Sequence, residues 1–139
     1  MTSYETIYKH ALRKISDPKL ASYPDDILED MLYGWMISAI AKHRTCEHDL
    51  ADRDEDLKQF NSDLSDTEKE ILAILITREW LAPQINSTSL TLQVFSGKEE
   101  KYYSQKEHLL GLEARDEKLM IEAQKLSRDY TYTDSSYYD

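Results

Sequence analysis

The 139-residue chain has one cysteine, three glycines and three prolines. Glycine and proline make tight turns, so their scarcity disfavours an all-β fold. Cys46 has no second cysteine to pair with, which points to a reducing cytoplasm. No stretch approaches the roughly 18 consecutive apolar residues of a membrane span, and the opening MTSYETIYKH lacks the apolar centre of a signal peptide. Basic residues are also in the minority, 17 against 27 acidic, for a net charge of −10. Such a surface does not wrap nucleic acid, whose phosphates need lysine and arginine. It is still compatible with a place beside DNA, because an acidic wall lets DNA slide past.

Catalytic signatures are missing as well. There is no G-x-S-x-G elbow and no glycine-rich phosphate loop. His43, Cys46 and His48 lie close together, but a zinc site draws four ligands from paired clusters and no second cluster exists. A thiol–imidazole pair normally comes from separate elements facing a cleft, so Cys46 reads as an inert, buried thiol at a helix end. The run DRDEDLKQFNSD has the acidity of a calcium loop without its turn glycine. The expectation is a non-enzyme with no metal and no cofactor, whose function is binding.

What is present is helical. TSYE places a capping box at Thr2 with Glu5 reaching back, and Tyr4, Tyr8, Ala11, Leu12 and Ile15 follow at helical spacing until Asp17-Pro18. Asp25 and Asp26 after Pro24 open a second helix, and its apolar run from Ile27 to Ile40 is wide enough for the centre of a bundle. Residues 47 to 64 read as an extended acidic connection, with one helical turn around Asp54 to Phe60. SDTE at Ser65 is a second capping box for a helix ending at Pro83. A short helix is expected from Ser87 to Phe95, broken by Gly97. SQKE at Ser104 caps a long last helix through about Asp129, in which Gly111 permits a close helix approach. The predicted class is all-α: a small helical bundle over residues 1–129, with a long C-terminal helix and an extended C-terminal arm over 130–139.

Tyrosines mark the candidate binding residues. Trp35 and Trp80 fit a core, with an interface anchor as the alternative. Tyr102 and Tyr103 stand in a polar segment beside lysines, where no local core explains both. The end of the chain, SRDYTYTDSSYYD, crowds in Tyr130, Tyr132, Tyr137 and Tyr138. Thr131 and Thr133 alternate with the first pair, a strand-like pattern suited to adding onto a partner's sheet edge; a disordered tail is the alternative.

Three stretches carry a family resemblance: DRDEDLKQFNSDL, EWLAPQINS and YYSQKEHL. Over roughly residues 40 to 130 the chain resembles the head–tail connectors, or adaptors, of long-tailed phages that infect Gram-positive bacteria. The resemblance implies a helical bundle that assembles as a homo-oligomeric ring, commonly of twelve copies, beneath the portal protein. It would seat there after DNA packaging, extend the DNA channel and offer a surface to the next neck or tail-completion protein. In several such proteins a C-terminal extension reaches the portal, a role that falls here to Tyr130, Thr131, Tyr132, Thr133, Tyr137 and Tyr138. Asp52, Asp54, Glu55 and Asp56 become candidates for lining the channel, with DNA passing but not held. The location implied is the virion neck, after assembly in the host cytoplasm, with no membrane partner. The rival readings are a tail-completion protein on the tail side of the joint and an acidic DNA mimic that inhibits a host enzyme.

Overall fold

The helix from Asp66 to Val94 contains seven consecutive buried residues, Ile71 to Thr77. A helix that is hydrophobic all round must lie at the centre of its bundle. The computed structural model describes residues 1–15, 17–43, 46–94 and 99–133. In chain order these form strand β1 (Thr2–Ser3), helix α1 (Tyr4–Leu12), a short 3-10 turn (Pro18–Ser22), α2 (Asp25–Lys42), β2 (Arg53–Asp54), β3 (Gln59–Phe60), α3 (Asp66–Val94) and α4 (Glu99–Thr133). The protein is largely helical, as its sequence predicts, with one small three-stranded sheet among the described residues. α3 packs against α1, α2 and α4. No helix among the described residues is long and apolar enough to cross a membrane.

The central place goes to α3 rather than to α2. Only Leu32, Met36 and Ala39 of α2 are buried, and Ile27 is exposed. Asp30, Gly34 and Ser38 interrupt its apolar band on the solvent side. α1 buries Tyr4, Ile7, Tyr8 and Ala11 against the core. Its cap is Ser3, not Thr2: the Thr6 amide donates to Ser3 Oγ at 3.2 Å. Thr2 is drawn into the sheet, where its hydroxyl donates to the Ser62 carbonyl and accepts from the Leu64 amide.

Residues 53 to 60 form a β-hairpin in place of the expected helical turn. β3 lies between β1 and β2, antiparallel to both, with Phe60 opposite Thr2 and Arg53. Asp54 Oδ1 accepts from the amides of Asp56 at 2.9 Å and Leu57 at 3.0 Å, a side-chain mimic of a backbone turn. Lys58, at φ 53°, then takes the left-handed conformation that reverses the chain.

Pro83 does not end its helix; α3 runs on to Val94 and absorbs most of the separately expected short helix. Proline removes one helical hydrogen bond, but Pro83 is exposed, so its ring disturbs no core packing. Neighbouring side chains cover carbonyls on both sides. Gln84 Nε2 donates to the Trp80 carbonyl at 3.4 Å, and Thr88 Oγ1 donates to the Gln84 carbonyl at 2.8 Å.

α4 begins at Glu99, five residues before the expected cap, so Ser104 lies within the helix. It is bound to α3 by Arg78, which reaches both oxygens of Asp116. Arg115 lies 5.2 Å over the Trp80 ring and donates to the Lys14 carbonyl at 2.6 Å. Trp80 is 7% exposed, and its indole N–H donates to Asp17, so it belongs to the core. Gly111 is not a close-approach site, because a Cβ built there would meet nothing within 4 Å.

Candidate functional site

The structure separates the sequence-predicted site residues into groups. Asp52, Asp54, Glu55 and Asp56 come together on the hairpin, where three of the four carboxylates build the turn. Asp52 accepts from Asn61 Nδ2 at 2.8 Å, Asp54 caps the bend, and Glu55 accepts from Arg53 and Tyr33; Asp56 is exposed. Tyr103 is exposed on α4, and the backbone of Tyr102 is helical there too. Tyr130, Thr131, Tyr132 and Thr133 continue α4 as helix, so the two-residue repeat of the arm has no strand beneath it at that point. Tyr137 and Tyr138 lie outside the described residues.

Sequence reasoning passed over a groove built by α1, α2 and the hairpin turn. Tyr4 and Tyr8, one turn apart on α1, meet as tilted rings, with Tyr4 against Phe60 of β3. Tyr4 lies 6.5 Å from Tyr8, 6.1 Å from Tyr33 and 5.2 Å edge-on from Phe60. Around them is a chamber of about 180 Å³, lined by the three tyrosines with Glu29, Asp30, Glu55 and Lys58. An adjoining chamber of about 480 Å³ shares Tyr4, Tyr8, Glu29 and Lys58, and adds a wall of Leu12, Leu28, Leu32 and Leu57. Glu5, Lys9 and Asp25 stand among its polar groups.

Charge is arranged around the smaller chamber. Tyr33 donates to Glu55 Oε2 at 2.7 Å, and Arg53 Nε donates to Glu55 Oε1 at 2.6 Å. These two bonds hold the Glu55 carboxyl below its ordinary value. Lys58 reaches from the hairpin to Glu29 on α2 at 2.6 Å. Burial, aided by Glu55, pushes the Tyr4 phenol up to about 12, so it stays protonated. Its hydroxyl lies beside Glu55 without reaching hydrogen-bond geometry, and it has no partner among the described residues. The signal available in the sequence was Tyr4, Tyr8 and Tyr33, but only the hairpin brings Glu55 and Lys58 against them.

Cys46 and His48 meet the start of α3 in a second cluster. Glu68 is fully buried and completes the capping box of α3: the Ser65 amide donates to its carboxylate at 2.9 Å, and its own amide donates to Ser65 Oγ. The same carboxylate accepts from Cys46 Sγ at 2.7 Å and from His48 Nδ1 at 2.8 Å. Burial and then Glu68 push the Cys46 thiol up to about 12, which keeps it un-ionised and unreactive. His43 is 6% exposed, neither ring nitrogen has a hydrogen-bond partner among the described residues, and burial holds its pKa down. No group of three or more His, Cys, Asp or Glu among the described residues is disposed to hold a metal ion. The cluster ties the loop to the helix start.

No family model, no curated protein and no solved structure matches the chain.

Proposed function

We propose that this protein is a head–tail connector of a phage neck, a non-enzymatic ring subunit that binds the portal, extends the DNA channel and receives the next neck or tail component. The sequence resemblance over residues 40 to 130 names the role, and one structural observation supports it: α4 exposes large apolar side chains, set among charged ones, on the side opposite the one it buries. Leu119 and Ala123 are buried toward the bundle, while Leu110 is 55% and Ile121 54% exposed. Leu110 and Ile121 are eleven residues apart, which brings them back to the same side of a helix with 3.6 residues per turn. Exposed Tyr103 falls on that side too. A subunit packed between copies of itself has a use for exposed apolar side chains of this kind.

The acidic hairpin suits a wall past which DNA moves without being retained. α4 spans about 50 Å at 1.5 Å per residue, long enough to carry the chain's end away from the bundle. The net charge of −10 also favours the acidic DNA mimic as a second reading.

Native mass measurement of the protein mixed with purified portal separates the readings. A connector forms a ring on the portal, and a mimic ignores the portal and binds a nucleic-acid enzyme. Removing residues 130 to 139 should abolish portal binding and leave the melting temperature unchanged. Leu110→Asp with Ile121→Asp should spare the folded monomer and prevent the ring. Normal head–tail joining by the truncated chain would sink the arm assignment, and failure of the full chain to bind portal would sink the connector reading.

A further inference from the structure

Tyr4 is 1% exposed, its hydroxyl has no partner among the described residues, and it forms a wall of both chambers of the groove. A buried hydroxyl left unpaired is costly. This one borders a space of about 180 Å³, several times the roughly 30 Å³ that one water occupies in the liquid. The chamber therefore has room for a polar group from outside against the Tyr4 side chain.

The surroundings specify which polar group. Glu29, Asp30 and Glu55 offer acceptors, and Lys58 and Arg53 already engage Glu29 and Glu55. Asp30 has no ion pair among the described residues. The three tyrosine rings add negative faces that attract cations. The larger chamber has a different character: leucines form its wall, and Leu57 at its edge is 66% exposed.

We infer that this groove docks an arginine presented by a partner polypeptide, with the guanidinium in the tyrosine chamber and an adjoining apolar residue on the leucine wall. A guanidinium carries five donors in a planar fork and stacks on aromatic rings, so Tyr4, Asp30 and Glu55 can each accept from it. Lysine offers a point charge that uses fewer of these acceptors. A nucleic acid brings phosphates to a carboxylate-lined site and is repelled. A free small cation leaves the leucine wall uncovered, which is why a polypeptide is the occupant.

The test is an NMR titration of the full chain with acetylated leucyl-arginyl-leucine amide, its citrulline counterpart, and agmatine as a free guanidinium. The arginine peptide should give saturable shifts at the amides of Tyr33, Glu55 and Leu57. Citrulline, agmatine, Asp30→Asn and Tyr4→Phe should each weaken binding about tenfold, the order of one charge-assisted hydrogen bond. Asp30 is exposed on the outer wall, so Asp30→Asn keeps the test decisive if Tyr4→Phe disturbs the core. Equal binding of the citrulline peptide, shifts confined to other surfaces, or no saturation at millimolar peptide would each overturn the inference. Agmatine binding as tightly as the peptide would overturn it too, by making the groove a small-cation site. The connector reading is unaffected by any of these results, since portal binding is assayed separately.

Discussion

Glu68 shows how one residue sets the acid limit of the fold. Burial alone would raise its pKa, yet hydrogen bonds from Cys46, Ser65 and His48 outweigh that and hold it at about 2. The unfolded value is near 4.5, so ionised Glu68 stabilises the fold above that pH, and the contribution drains away as pH falls toward 2. At 1.36 kcal/mol per unit it amounts to about 3 kcal/mol. Glu68→Gln should therefore lower the melting temperature at neutral pH and flatten the acid limb between those values, read from melts across pH. His48 acts in the opposite direction. Its hydrogen bond to Glu68 raises its pKa, so its stabilisation is full below the unfolded value and is lost as pH rises through the folded one. Melts from about pH 6 to 9 should show that alkaline loss in the native chain and not in His48→Gln.

At the scale of elements, Gly111 offers the cleanest substitution. It sits inside α4 with open space where a Cβ would go, so Gly111→Ala should gain about 1 kcal/mol of helix propensity with no clash. A higher melting temperature with unchanged circular dichroism checks this, and a lower one would mean a neighbour approaches that face. The same residue shows what a sequence conceals. Spacing reveals that a glycine is inside a helix but not what faces it. Apolar periodicity made the helices legible, and the SDTE box located the start of α3 because its chemistry is local. The hairpin was not legible, since two-residue strands have no alternation to detect and the pairing of β3 with β1 spans 56 residues or more. The tyrosine groove was hidden for the same reason: Glu55 and Tyr33 meet only through that pairing.

At the scale of the whole molecule, charge is the property to test. Asp54 is a poor place to reverse it, because its carboxylate holds the hairpin bend. Asp56 is exposed and builds no part of the turn's side-chain bonding, so Asp56→Lys changes the field and keeps the fold. In the proposed ring, the substitution would add a cation per copy. If the hairpin lines a channel, virions carrying it should assemble and then eject DNA more slowly, with the delay shrinking as salt rises. Unchanged ejection places the hairpin on the outer rim.

Pro83 falls where burial along α3 changes. Before it, Ile71 to Thr77, Trp80 and Leu81 are buried; beyond it, Asn86, Ser87 and Leu90 face solvent and Thr88 is buried. In hydrogen exchange, the amides before the proline should open only with global unfolding, and those after it through a smaller local event. Mass spectrometry of exchange should then show a step in protection at residue 83, and uniform protection along α3 would contradict it. A subunit seated between two neighbours would gain from that division: one end of its central helix keeps its shape, and the other adjusts to what it meets.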